Sequence, residues 1–302
     1  MEGPIKYRRT RIAPTPSGFL HLGNVMAFVR TVGLGERSGT KVLLRIDDMD
    51  RERVEKEYVQ DIFDTLEFLE LPWDEGPKNV AEFEKEWSQV HRIGLYRKVL
   101  DVLREKGDLF ACNCSRAQVL RDSIDGVYPG TCREKGISLD TDNVSWRLRT
   151  DEKEIGLKVL GGGVIGDGKV MKARLPGSIK DFVVRKRDGI PAYQLTSVVD
   201  DLYFGVDLVV RGEDLWASTV AQHFLAEKLG KGEEFRSIGF YQHPLLMDGE
   251  RKLSKSAGDT SVQYLRKQGL KKKDVYTMIA KMMGRKDEPG NWEELVRFAN
   301  DL

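Results

Sequence analysis

Pro14-Thr15-Pro16-Ser17-Gly18-Phe19-Leu20-His21-Leu22-Gly23-Asn24 carries the reading of the whole chain. Two prolines, a serine and a glycine within five residues punctuate the backbone as a turn. Lys6–Ile12 in front of them reads as a short strand. His21–Gly33 behind them reads as a helix, with Val25, Phe28 and Val29 at helical spacing. A strand, a tight turn and a helix opening at a histidine gather free backbone N–H groups and the positive end of a helix dipole at one point. Such a point suits a phosphate.

Working outward, Lys41–Ile46 reads as a buried strand closing on Asp47-Asp48-Met49-Asp50. Glu52–Leu69 reads as a long amphipathic helix and Gln89–Lys106 as another. This alternation predicts an α/β protein with a parallel sheet of the nucleotide-binding type. From Phe110 to about Lys180 the pattern turns to short strands, glycines and cysteines, as in a small inserted α+β domain. Asp181–Arg187 and Tyr193–Val199 resume strand and helix character. Asp207–Arg211 is a further buried strand, and Ser218–Leu229, Val262–Gln268 and Lys273–Met283 read as helices, the last trailing into Trp292–Leu302. The expected division is 1–108 and 181–250 for the two halves of the Rossmann-type domain, 109–180 for the insert, and 251–302 for a lysine loop and helical segment.

The bulk numbers bound the class. A chain of 302 residues with 40% hydrophobic and 32% charged residues suits two or three globular domains. No apolar run is long enough for a bilayer, and Met1-Glu2-Gly3-Pro4-Ile5-Lys6 offers no signal-peptide core, so a cytoplasmic protein without membrane contact is expected. Forty-nine basic against 48 acidic residues give a net charge of +1, so any RNA contact must come from a local basic face. The three cysteines fall between 112 and 132. An odd, clustered trio argues against a disulfide framework and for a metal.

Lys252-Leu253-Ser254-Lys255-Ser256 sets two lysines and two hydroxyls in a loop far from the first motif. Together the strings describe a site gripping a nucleoside triphosphate from both sides. His21 can donate to a phosphate, Gly23 lets a base approach the backbone, and Lys255 can close over a leaving pyrophosphate. In this order they resemble the two signature motifs of class I aminoacyl-tRNA synthetases. That resemblance implies a Rossmann-type catalytic fold that uses ATP with Mg²⁺. It also implies ATP contacts at His21, Gly23, Asn24, Lys252, Ser254 and Lys255, with His21 and Lys255 as the catalytic pair.

Arg11-Ile12-Ala13-Pro14-Thr15, Arg45-Ile46-Asp47-Asp48-Met49-Asp50, Tyr193-Gln194-Leu195 and Arg211-Gly212-Glu213-Asp214 bear on the amino acid. An acidic amino acid needs cations for two carboxylates and an anion for its ammonium, and arginine grips carboxylates bidentately. These strings resemble the glutamyl subgroup, which implies that Arg11, Asp47, Tyr193 and Arg211 bind L-glutamate with Ala13 and Thr15 alongside. The subgroup usually has Glu where Asp47 stands, so the ammonium contact runs through water or is taken by Asp48. Asp200-Asp201 reads as structural rather than as a metal site.

Three thiolates can converge on Zn²⁺ with one further donor. The spacing of Cys112, Cys114 and Cys132 with Tyr128 resembles the zinc site of glutamyl synthetases, which implies a structural zinc with the tyrosine as fourth ligand. Only 46 residues follow Ser256, so no anticodon-binding domain is expected. Asp181–Arg185, Ala192–Leu195, Val198–Asp201 and His243-Pro244-Leu245-Leu246 resemble the truncated glutamyl-Q tRNA(Asp) synthetases. That group implies glutamate activation without tRNA, then transfer to the queuosine base in the anticodon loop of tRNA(Asp), by a monomer. The intact lysine loop departs from many of its members. The alternatives are a minimal glutamate–tRNA ligase charging the tRNA 3′ end, a ligase with a non-tRNA acceptor, and a non-catalytic paralogue serving as a binding module. A retired paralogue predicts erosion of His21, Lys255 or the arginines, and none is eroded.

Overall fold

Residues 7–123, 126–160, 168–248, 251–252 and 261–299 are described by the structure, a computed structural model. Strand β1 (Arg9–Ile12) pairs in parallel with β2 (Lys41–Leu44), and helix α1 (Leu22–Ser38) crosses between them. The chain continues through α2 (Lys56–Phe68) and α3 (Ile93–Glu105) to β3 (Leu109–Cys112), α4 (Arg116–Asp122), β4 (Ser145–Leu148), β5 (Ile155–Leu160), β6 (Lys169–Ala173) and β7 (Val183–Arg185). There follow α5 (Tyr193–Tyr203), β8 (Leu208–Gly212), α6 (Trp216–Lys228), α7 (Gly232–Arg236) and β9 (Gly239–His243). The short pair β10 (Met247–Asp248) and β11 (Arg251–Lys252) precedes α8 (Val262–Lys267), α9 (Lys272–Met282) and α10 (Trp292–Ala299).

Strands β8, β9 and β5 form a second parallel ladder, with β6 antiparallel at its outer edge. The two ladders meet where β1 runs beside the entry to β8. There the Asp207 N–H donates to the Arg9 carbonyl at 3.0 Å, and the Asp207 carboxylate accepts from the Arg8 and Arg9 amides. Strand β1 therefore has β2 on one side and β8 on the other. In an open α/β sheet this is the switch point, and a crevice opens beyond the carboxyl ends of the strands.

The expected sequence boundaries meet the observed pairing unevenly. Strand β5 lies within the stretch read as the insert but hydrogen-bonds to β9 of the central sheet. Strand β7 lies beyond that stretch but pairs with β4 in the three-stranded β3-β4-β7 sheet. Helix α1 also runs past Gly33 to Ser38. Gly33 is not its stop but its contact with α10: a Cβ there would meet the Val296 methyls at 2.4 and 2.5 Å. The helix ends at Gly39, whose φ of 64° is the left-handed cap glycine favours. The long helix read over Glu52–Leu69 begins as a 3₁₀ turn at Arg51–Arg53 and becomes α-helical only at Lys56.

Apolar residues pack on both faces of the sheet. Val25, Met26 and Val29 of α1 meet α2, α9 and α10 on one side. Leu103, Leu195, Val220 and Phe240 form the core on the other. Among the described residues no helix is long and apolar enough to cross a membrane.

Candidate functional site

The crevice at the switch point is a cleft of about 590 Å³. Arg11, Ala13 and Thr15 enter it from the end of β1, and His21, Gly23 and Asn24 from the start of α1. Asp47 reaches it from beyond β2, Tyr193 from the start of α5 and Arg211 from β8. Nine positions spread over 200 residues of sequence thus line one cavity. Ser254 and Lys255 lie outside the described residues, as does the Lys252 side chain. The flanks of that loop are placed: β10 and β11 pair before it, and after it the Val262 N–H donates to the Leu20 carbonyl at 2.8 Å.

His21 is the N-cap of α1. Its Nδ1 accepts the Gly23 N–H at 3.1 Å, and Asn24 Oδ1 accepts the His21 N–H at 3.0 Å. This reciprocal cap satisfies two of the donors a helix start leaves open. It also fixes the tautomer: a neutral ring accepting at Nδ1 carries its hydrogen on Nε2, a donor suited to a phosphate oxygen. A Cβ at Gly23 would lie 2.9 Å from His21 Cε1, so glycine here makes room for the histidine ring itself.

Asp47 and Arg45 share one face because successive extended residues alternate sides. Arg45, 3% exposed, donates Nε and Nη2 to the two Asp47 oxygens at 2.7 and 3.0 Å. Its Nη1 donates to Asp201 Oδ1 at 2.6 Å, and Arg11 Nε reaches the same oxygen at 3.1 Å. Burial pushes the Asp47 carboxyl up despite Arg45. For Asp201, burial acts the same way but Arg11 and Arg45 outweigh it, holding the group below its ordinary value.

Asp48 lies apart from Asp47. It faces the other way, accepting from Ser88 Oγ at 2.6 Å and the Gln89 N–H at 2.7 Å, and it is wholly buried outside the cleft. Asp200 and Asp201 are tied to arginines: Arg92 donates to both oxygens of Asp200, and Tyr96 donates its hydroxyl to Oδ1 at 2.7 Å.

Arg211 differs. It is 4% exposed, and no carboxylate among the described residues lies within ion-pair distance of it. Burial lowers its pKa to about 10, while the nearby Tyr193 hydroxyl works in the opposite direction. Arg45, Thr219 and Gln222 carry no role readable from the motifs, and Asp201 only a structural one. Arg45 was within reach, two residues before Asp47 on the same strand face. The others become visible only when α5, α6 and β8 are brought together.

The cysteine sulfurs of Cys112, Cys114 and Cys132 lie within 4.8 Å of one another. Thiolates about 2.3 Å from a tetrahedral zinc stand roughly 3.8 Å apart, so the donor set fits. The Tyr128 hydroxyl accepts the Cys132 N–H at 2.9 Å and sits against the Cys112 thiol. Burial pushes Cys112 up, but Tyr128, the Cys114 amide and Arg147 outweigh it and bring it down to about 7. Burial and the two neighbouring thiols push Cys114 up to about 12. Three thiols cannot ionise together without a cation between them. Arg147, 3.7 Å over the Tyr128 ring, places a positive charge beside this cluster.

Residues 8–291 match the catalytic domain of the class I tRNA synthetases (E and Q). A protein of Symbiobacterium thermophilum named glutamyl-Q tRNA(Asp) synthetase is 36% identical over 95% of this chain and 90% of its own length. One of the same name from Nitratidesulfovibrio vulgaris is 34% identical over 91% of this chain and 86% of its own. Among solved structures, the glutamate-tRNA synthetase of Elizabethkingia anophelis superposes with a TM-score of 0.72 at 20% identity. It spans 96% of this chain, which covers 65% of that longer one.

Proposed function

The chain belongs to the class I tRNA synthetases of the E and Q type, and from that premise we propose that it activates L-glutamate with ATP and delivers it to the queuosine base in the anticodon loop of tRNA(Asp). The observation that carries the substrate class is the charge of the cleft. Arg11, Arg45 and Arg211 stand against Asp47 and Asp201, three buried cations against two buried anions, while Asp200 is balanced by Arg92. Among the buried side chains one net positive charge remains, Asp214 at the water-exposed rim not being counted, and glutamate brings one net negative charge. A neutral amino acid leaves a buried arginine unmatched. The names of relatives matched over most of both chains support the acceptor.

The chemistry needs no protein nucleophile. An α-carboxylate oxygen of glutamate attacks the α-phosphorus of ATP, the bond to the β-phosphate bridge breaks, and pyrophosphate leaves. A queuosine hydroxyl then attacks the carbonyl of the mixed anhydride, its proton departs, and AMP leaves. ATP enters as its Mg²⁺ complex, the ion neutralising phosphate charge. The protein's part is to hold the reactants in line and meet the charge that develops. His21 Nε2–H and the positive end of the α1 dipole face the phosphates, with Gly23 and Asn24 beside them. Lys252 and Ser254 contribute to ATP binding, and Lys255 meets the charge of the leaving pyrophosphate. Arg11, Tyr193 and Arg211 hold glutamate, with Ala13 and Thr15 along its edge. Asp47, already bonded to Arg45 through both oxygens, reaches the ammonium through water. Cys112, Cys114, Cys132 and Tyr128 hold a Zn²⁺ that ties β3 to the loop before Cys132 and takes no part in the reaction. Elemental analysis should return one zinc per chain, and a metal-free, folded wild-type protein removes that assignment.

Glutamate-dependent ATP–pyrophosphate exchange without RNA, run beside aspartate and glutamine, tests the first step. Exchange with glutamate alone is expected. Labelled glutamate should then appear on tRNA(Asp) carrying queuosine and not on the unmodified transcript. Labelling of both at the 3′ end places the chain with the charging ligases instead.

A further inference from the structure

Among the described residues Arg211 is held by uncharged partners with no carboxylate at ion-pair distance, although the Asp201 charge that Arg11 and Arg45 share still reaches it. Its Nη1 donates to Gln222 Oε1 at 2.9 Å and its Nη2 to Thr219 Oγ1 at 2.6 Å, both buried on α6. The Phe240 ring lies 5.0 Å from the guanidinium carbon. Thr219 has one hydroxyl hydrogen, and it goes to the Leu215 carbonyl at 3.1 Å. Its oxygen can therefore only accept, and it does so from Arg211 and from Gln242 Nε2, the latter at 2.7 Å. The arginines across the cleft are treated in the opposite way, since Arg11 and Arg45 both end on Asp201.

A carboxylate and a carboxamide have nearly the same shape, so packing alone distinguishes them poorly. Charge distinguishes them. An arginine already neutralised by a protein carboxylate has little preference between the two, whereas one resting on neutral acceptors keeps its full charge for the ligand. The geometry of activation sets which carboxylate Arg211 meets. The α-carboxylate must face the phosphates at the start of α1, which leaves the side chain toward the strand-end arginines.

We propose that Gln222 and Thr219 are specificity-determining positioning residues: by holding Arg211 through uncharged acceptors they make the site select a carboxylate side chain over a carboxamide. The inference rests on the reading that this cleft activates glutamate and deepens it. The family spans both E and Q enzymes, so the acid-versus-amide choice is the one its sites must make.

The test uses the full chain in ATP–pyrophosphate exchange, with kcat/KM measured for glutamate and for glutamine. Gln222→Glu changes one amide nitrogen to oxygen and places a carboxylate on Arg211. It should lower kcat/KM for glutamate by about 30-fold or more, chiefly through KM, and change the value for glutamine by less than about 3-fold. If that variant does not fold, Thr219→Val and Thr219→Ser replace it. Valine should cost glutamate about 10-fold with glutamine little changed, and serine should restore the wild-type ratio. A parallel loss for both amino acids, or an unchanged ratio, overturns the inference while leaving glutamate activation standing. A wild-type protein inactive with glutamate removes the underlying reading and the inference with it.

Discussion

The two walls of the cleft hold buried arginines by opposite means. On the β1–β2 side, Arg11 and Arg45 close onto Asp47 and Asp201, so the cations are matched by the fold itself. On the β8 side, Arg211 rests on Thr219 and Gln222, and its Nε has no hydrogen-bond partner among the described residues. A buried ion pair is held by its own members, and removing one leaves the other exposed to the full cost of burial. A buried cation on neutral partners lowers stability until a ligand arrives. The paired wall is therefore scaffold, and the unpaired wall is where binding energy is kept for substrate.

The sharpest way to break this contrast is to delete one arginine from each wall. Arg211→Leu should lower kcat/KM for glutamate by about 10³-fold, equivalent to about 4 kcal/mol, because a charge-assisted double contact is lost. Its stability in denaturant should stay within about 1 kcal/mol of wild type, since the change also removes an unmatched charge. Arg45→Leu should destabilise by about 3–5 kcal/mol, leaving the Asp47 and Asp201 carboxylates buried without their partner. Equal losses of stability in the two variants would erase the distinction between the walls.

A smaller effect separates the walls by pH. His223 lies next to Gln222 beneath Arg211, and His243 ends β9 in the same cleft. Burial holds both rings neutral and lowers their pKa values from 6.5 to about 4, with Arg211 and Arg236 adding to the effect at His223 and Arg30 at His243. The unfolded chain takes up these protons first. The stability they contribute is thus complete above pH 6.5 and falls as the pH drops toward 4, by about 3 kcal/mol for each ring at about 1.4 kcal/mol per unit. The paired wall responds differently. Asp47, pushed up by burial, takes its proton first in the folded chain and so adds stability as the pH falls, whereas Asp201 holds its charge longest. Asp201 sits below its ordinary 3.8, so its contribution is lost only as the pH falls through that lower value. Denaturant titrations across pH 7 to 3 should show the first loss between 6.5 and 4, and His223→Gln should flatten it. A curve level to pH 4 would show that the β8 wall is not the proton-sensitive one.

Much of the cleft was legible because its parts are local signals. A proline turn before His21, the alternation of strands and helices, and arginines at strand ends each occupy a few adjacent residues. Asp47 was legible as a site position and, by the alternation of extended residues, as the neighbour of Arg45, but nothing in Asp47-Asp48 says which of the two carboxylates faces the cleft. The extended backbone sends the two to opposite sides, and the order of the surrounding elements decides which side is the cleft. Gly33 misled as a helix stop because its reason for being glycine is Val296, 263 positions away.

By itself the sequence determined the anion-binding turn, the histidine that caps α1 and the three-cysteine spacing, because turn propensity, capping and short loops act within a few residues. It also determined the family. The pairing of charges was decided only by the tertiary structure. Arg11 meets Asp201 across 190 residues and Arg45 meets it across 156, while Arg211 finds Thr219 and Gln222 on the next helix. Charges interact through distance in space and the dielectric between them, and neither is written in sequence spacing.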